Sequence, residues 1–117
     1  MKLRLHDNSL RLRLSQSEIA RLRDTGKVED LIVFQPGKEL FYTIETGAAQ
    51  ETTATFENAK IRVTLPASVA MQWIEGDQTG IEASTGTLRL LIEKDFQCLH
   101  REPKPGEDAF PNPLAST

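Results

Sequence analysis

Asp95, Cys98 and His100 are the side chains whose types best suit chemistry. A carboxylate, a thiolate and an imidazole are all zinc ligands, and three such ligands plus a water make a catalytic zinc site. Glu93 lies beside them, and His6 is the only other histidine. Their spacing argues the other way, because the chain has no Cys-x-x-Cys or His-x-x-x-His pair. A solvated strand end beside a buried cysteine accounts for the same residues. Cys98 and His100 are two positions apart, which on a strand puts them on one face, so a thiolate held by an imidazole is the second chemistry to consider. No carboxylate is placed to orient that imidazole, and free cysteine is among the most buried residue types. A small metal-dependent or thiol enzyme built on Asp95, Cys98 and His100 therefore stands as the alternative reading, and whether the chain is an enzyme stays open.

The leading candidate is electrostatic. Leu10-Arg11-Leu12-Arg13-Leu14 alternates strictly, as does Lys2-Leu3-Arg4-Leu5, and period two means half-buried strands. His6-Asp7-Asn8-Ser9 supplies turn formers between them, so the two runs make a hairpin with Leu5 against Leu10 and Leu3 against Leu12. The opposite face then sets Arg4 across from Arg11 and Lys2 across from Arg13. Like charges directly opposed are unfavourable, so that face needs water, carboxylates from other strands, or an anion. Arg62 and Arg89 are expected to join it from the second half of the chain. Lys94, between Glu93 and Asp95 near the end of the last strand, is a further cation, suited to ion pairs with Asp7 or with a neighbouring hairpin.

Arginine forks match carboxylate and phosphate oxygens, and the candidate anion- or partner-binding set is Arg4, Arg11, Arg13, Arg62 and Lys94. The bland alternative is a solvated sheet face neutralised by Glu45, Glu82 and Glu93. No Gly-rich phosphate loop is present, so an anion site has to be built from side chains, and no cofactor is implied. Trp73, Phe34, Phe41 and Phe56 fall where the strand and helix patterns turn inward. They are expected in the core rather than as a stacking platform, which weakens single-stranded nucleic acid as a ligand.

The elements that position these residues follow from local chemistry. Ser15 followed by Glu18 is a capping box that opens a helix with Ile19, Ala20, Leu22 and the stem of Arg23 inward, and Gly26 sits just past its end. Val28 to Phe34 is expected as a strand, Pro36-Gly37 as a type II turn and Leu40 to Glu45 as the returning strand. Sliding the chain by about 51 positions places Leu5 over Phe56, Leu10 over Ile61, Arg11 over Arg62 and Leu22 over Trp73. After a deletion of a few residues, Leu88 to Glu93 falls over Leu40 to Glu45, with Gly86-Thr87 replacing the Pro-Gly turn.

Each half thus has the order strand, strand, helix, strand, strand. The expected class is α+β: two copies of this unit forming an eight-stranded, mainly antiparallel barrel or two-sheet sandwich with two helices. The boundaries are a single domain over 1–98, with pseudo-repeats 1–46 and 52–95, and a Pro-rich carboxyl-terminal tail over 99–117. Phe110-Pro111-Asn112-Pro113-Leu114 gives that tail two apolar handles, suited to lying over the domain or a partner.

Composition bounds the function. The 117 residues suffice for one core, and a net charge of -3 argues against a dedicated nucleic-acid binder. The lone cysteine excludes an internal disulfide and suits a reducing compartment. With no signal-like apolar run at the start and no stretch approaching about 20 apolar residues, a cytoplasmic protein without membrane association is expected.

Leu10-Arg11-Leu12-Arg13-Leu14-Ser15 with Glu18, then Glu93-Lys94-Asp95-Phe96 with Cys98-Leu99, then Asp108-Ala109-Phe110-Pro111-Asn112-Pro113, resembles a family of small bacterial proteins known only as a domain of unknown function. The resemblance spans essentially the whole chain. It implies a bacterial cytosolic protein and brings no activity, substrate or cofactor. The residues themselves favour a binding or interaction module, with a second copy of the chain, an acidic protein or a small anion as candidate partners.

Overall fold

The computed structural model describes residues 1–96, and within them every expected element is present. Strands β1 (Lys2–His6) and β2 (Ser9–Leu14) form the first hairpin, with Leu5 opposite Leu10, Leu3 opposite Leu12, Arg4 opposite Arg11 and Lys2 opposite Arg13. Its two-residue turn holds Asp7 and Asn8 at positive φ, as a type I′ turn requires. Helix α1 (Gln16–Thr25) opens on the full capping box: Ser15 Oγ accepts from the Glu18 amide at 3.3 Å, and the Ser15 amide donates to Glu18 Oε1 at 2.9 Å. It closes on Gly26 in the left-handed region. Strands β3 (Lys27–Gln35) and β4 (Lys38–Gly47) follow as a hairpin around Pro36-Gly37, with Gly37 at φ 76°.

The second half repeats the order. It comprises β5 (Thr53–Glu57), β6 (Lys60–Pro66), helix α2 (Ala67–Glu75), β7 (Gly80–Thr85) and β8 (Leu88–Lys94). Gly76 ends α2 for a different reason than Gly26 ends α1, since a Cβ at Gly76 would lie 2.5 Å from the Gln72 carbonyl oxygen. Its own carbonyl accepts from Lys94 Nζ at 3.0 Å.

The strands make two four-stranded sheets, ordered β1-β2-β8-β7 and β3-β4-β6-β5. Each sheet therefore joins the first hairpin of one half to the second hairpin of the other. The hairpins are antiparallel, and the central pairings, β2 with β8 and β4 with β6, are parallel. Of the two expected arrangements the barrel is excluded, since the strands form two separate mixed sheets. Parallel partners need long crossovers, and β2 meets β8 only after the whole intervening chain has been traversed. The registers repeat with the order: Leu10 pairs with Leu90 and Ile61 with Tyr42. Moving 51 positions on from Leu10 and 48 back from Leu90 lands on that second pair.

The inner faces of both sheets and one side of each helix meet in a single apolar cluster that includes Leu12, Leu14, Leu22, Ile44, Val63 and Trp73. Each large side chain buried this way contributes roughly 1.5–3 kcal/mol. Trp73 is fully buried, and its indole N–H donates to the Thr79 carbonyl at 3.2 Å, so its polar atom stays satisfied. Phe34, Phe41 and Phe56 overturn the expectation that they are core: Phe34 and Phe56 are 68% and 66% exposed, and Phe41 is half-buried on the outer face of the second sheet beside Lys60 and Arg62. Phe56 pairs with Ile61 next to the last residue of the edge strand β5, at the margin of the sheet, and Phe34 is exposed by length. The β3–β4 hairpin runs past the sheet beyond the row Leu31, Phe41, Lys60, Glu57, and leaves Ile32, Val33 and Phe34 exposed at its overhanging end.

Candidate functional site on the outer face of the first sheet

The β2 burial pattern alternates strictly, with the leucines inward, and sends Arg11 and Arg13 to the outer face of the first sheet. Register then assembles that face in rows across β1, β2, β8 and β7. The first row is His6, Ser9, Arg89, Ser84; the second is Arg4, Arg11, Leu91, Glu82; the third is Lys2, Arg13, Glu93, Gly80. Five cations face two carboxylates there. A shallow cavity of about 530 Å³ covers the first two rows and is lined by Arg4, Arg11 and Arg89 together with Glu82 and Ser84; Arg4 and Arg11 lie toward β1 and β2, while Arg89 stands beside Ser84 and diagonal to Glu82. A depression of about 160 Å³ continues it along Lys2, Arg4, Arg11 and Arg13.

The pairing on this face is incomplete. Arg11 Nε donates to Glu93, and Lys2 Nζ lies 2.9 Å from Asp95. The bond to Lys2 holds the Asp95 carboxyl below its ordinary value against an opposing desolvation effect, and the Lys2 and Arg13 charges add to it. His6 Nε2 lies 2.9 Å from Asp7. Arg4, Arg13 and Arg89 have no carboxylate within ion-pair distance among the described residues. The turns of the two hairpins are clasped to each other: Asn8 Nδ2 donates to the Thr87 carbonyl at 2.8 Å and to Thr87 Oγ1 at 3.1 Å, and the Arg89 amide donates to the Asn8 carbonyl at 3.1 Å. That clasp fixes Arg89 beside Ser9 in the parallel register.

The structure therefore brings Arg4, Arg11 and Arg13 together and adds Arg89. It separates the other two candidates. Arg62 projects from the outer face of the second sheet, 3.4 Å from Glu45. Lys94 pairs in register with Leu14, an inward position, and its ammonium goes to the Gly76 carbonyl at the end of α2 rather than to the arginines. Of the alternative set, Asp95 is engaged by Lys2, while Cys98 and His100 lie outside the described residues. No cluster of three or more metal-ligating side chains occurs among the described residues. No helix among them is long and apolar enough to cross a membrane.

Sequence reasoning treated Glu82 only as a neutralising charge and did not place His6, Ser9 or Ser84 at the site. A local signal existed for the clasp, since Asn8 is a preferred residue of a type I′ turn. None existed for Glu82 and Ser84, which reach the arginines only through the β2–β8 pairing.

Residues 1–114 match the model of a family described as "Family of unknown function (DUF7009)", and the chain belongs to that family. Neither the curated proteins nor the solved structures contain a match to it.

Proposed function

We propose that this protein is a binding module that takes an anionic ligand on the outer face of the first sheet, in the cavity bounded by Arg4, Arg11 and Arg89. The observation that carries the reading is the unbalanced charge there. Arg4, Arg13 and Arg89, without a carboxylate partner among the described residues, share one sheet face of a chain whose net charge is -3, and two of them line the cavity. Guanidinium forks bind carboxylate and phosphate oxygens bidentately, and crowding them costs Coulomb energy that an anion relieves. The same reading treats the fold as a duplicated unit in a two-sheet sandwich, residues 1–98 as the domain and 99–117 as an appended tail. A reducing, cytosolic setting suits its lone cysteine.

The test is thermal and calorimetric titration with inorganic phosphate and citrate. A ligand at a hundred times its Kd stabilises the native state by about 2.7 kcal/mol. Wild type is expected to gain stability, the Arg4→Ala/Arg89→Ala double variant to gain none, and Arg62→Ala to behave as wild type. Failure of wild type to respond to either anion sinks the proposal.

A second reading rests on a separate observation, the overhanging β3–β4 hairpin. β3 is an edge strand, and its exposed run Leu31, Ile32, Val33, Phe34 is the kind of unprotected edge that templates pairing with another strand. A second copy of the chain is the occupant that suits it, because two such edges related by a twofold pair antiparallel and set apolar residues against apolar ones. Light scattering across a concentration series should show a dimer that Val33→Lys abolishes; a monomer at all concentrations removes this reading.

A further inference from the structure

The anionic-ligand reading can be taken further, to the class of ligand, because the cavity is polarised. Its second row runs Arg4, Arg11, Leu91, Glu82, from basic to apolar to acidic across four strands. At a strand spacing of about 4.8 Å, the backbones of its two ends stand about 14 Å apart, and their long side chains shorten the span between charges. A volume of about 530 Å³ is that of a small-molecule pocket. An inorganic oxyanion, only a few times the size of a water molecule of about 30 Å³, leaves most of it to solvent.

The second sheet shows what kind of group a carboxylate in Glu82's position receives. Glu82 lies opposite Leu91 on the edge strand of the first sheet, and Glu29 lies opposite Thr43 at the matching place in the second. Glu29 is met by Lys60 at 3.0 Å and by the Thr43 hydroxyl at 2.8 Å. Lys60 matches Ser9, which is too short and carries no charge, and Thr43 matches Leu91, which has no donor. Glu82 has no cation within ion-pair distance among the described residues: Arg4 and Arg11 stand further along its own row, and Arg89, diagonal to it on β8 where the second sheet has Phe41, makes no ion pair with it.

We infer that the ligand is a dipolar organic molecule: its anionic group is gripped by Arg4 and Arg89 beside Arg11, its apolar middle lies over Leu91, and an ammonium or other strong donor at its far end is received by Glu82. This rests on the anionic-ligand reading, and it assigns Glu82 as the residue that distinguishes such a molecule from a simple anion. The experiment is calorimetric titration of the full chain with two matched probes, 6-aminohexyl phosphate and hexyl phosphate.

Wild type is expected to bind the amino compound about tenfold more tightly or better, the effect of one charge-assisted bond. Glu82→Gln should bring the two probes to within threefold of each other. Ser9→Lys, which supplies the internal ammonium of the second sheet, should do the same. Arg4→Ala/Arg89→Ala should lose both probes. Equal binding of the two probes by wild type, or a preference that survives in Glu82→Gln, overturns the inference and leaves the anionic-ligand reading standing. Binding of neither probe, nor of phosphate or citrate, overturns both.

Discussion

The outer faces of the two sheets are built on one plan and charged differently. At the centre of each is the same ion pair, Arg11 with Glu93 in the first sheet and Arg62 with Glu45 in the second, at matching positions of matching strands. Counting that pair, the four-stranded rows of the second sheet set Lys27, Lys60 and Arg62 against Glu29, Glu45 and Glu57, with Glu39 on the overhang beyond them. Lys60 and Lys27 lie 3.0 and 4.0 Å from Glu29, and Thr64 donates to Glu45 at 3.4 Å. The first sheet puts Lys2, Arg4 and Arg13 where the second has threonines, and Arg89 where it has Phe41. One face answers its own charges. The other keeps a surplus of cations without carboxylate partners among the described residues, the observation on which the proposed anion site rests.

The largest effect is expected where the halves agree. Leu22 and Trp73 occupy matching helix positions and are both fully buried. Trp73→Ala should cost about 3–5 kcal/mol and Leu22→Ala about 2–5 kcal/mol in urea unfolding. A helix that tolerated either loss would break the equivalence of the two halves. Gly76→Ala comes next, at roughly 1–3 kcal/mol, because its Cβ would collide with the Gln72 carbonyl. Gly26→Ala should cost about 1–2 kcal/mol for another reason, the φ of 77° that an L side chain resists.

Removing the clasp by Asn8→Ala should cost about 1 kcal/mol, for two exposed hydrogen bonds and an αL-tolerant residue. The same substitution should weaken binding on the first sheet while leaving the second untouched. Its counterpart at 59 is already alanine, held at φ 58°. Ala59→Asn is expected to stabilise by some tenths of a kcal/mol to about 1 kcal/mol.

Acid should separate the faces more finely. The Lys60 ammonium first, then the Thr43 hydroxyl, hold the Glu29 carboxyl below its ordinary value of 4.5, against a small opposing effect of burial. A depressed carboxyl stabilises the fold above the unfolded value and loses that contribution as pH falls through the lower folded value. With the side chain 36% exposed, the contribution is about 1 kcal/mol or less after screening. The difference in urea midpoint between pH 7 and pH 3 should shrink in Glu29→Gln. The smallest change is expected from converting the first face toward the second. Arg4→Thr/Arg13→Thr should leave unliganded stability within about 0.5 kcal/mol of wild type, and slightly higher at low salt, because opposed like charges are removed. A marked loss of stability would mean that those arginines hold the fold together after all.

Local rules reached a long way into this structure. The alternation of leucine and arginine gave the β1–β2 register residue for residue, and Ser15 with Glu18 gave the start of α1, because both are settled between neighbours a few positions apart. The inward reading of Phe34 and Phe56 failed because periodicity tells which face of a strand a residue occupies, and says nothing of whether the core extends that far.

By itself, then, the sequence determined the order of elements, the faces of the strands, the turns and the likeness of the two halves, all of which depend on short-range sterics and on apolar spacing. Only tertiary structure decided which hairpin lies beside which. Pairing β2 with β8 places Arg89 and Glu82 at the arginine face and exiles Arg62 to the opposite sheet, while Lys94 turns to the end of α2. That choice depends on burying both leucine faces in one core at once, a condition on the whole chain that no local stretch records.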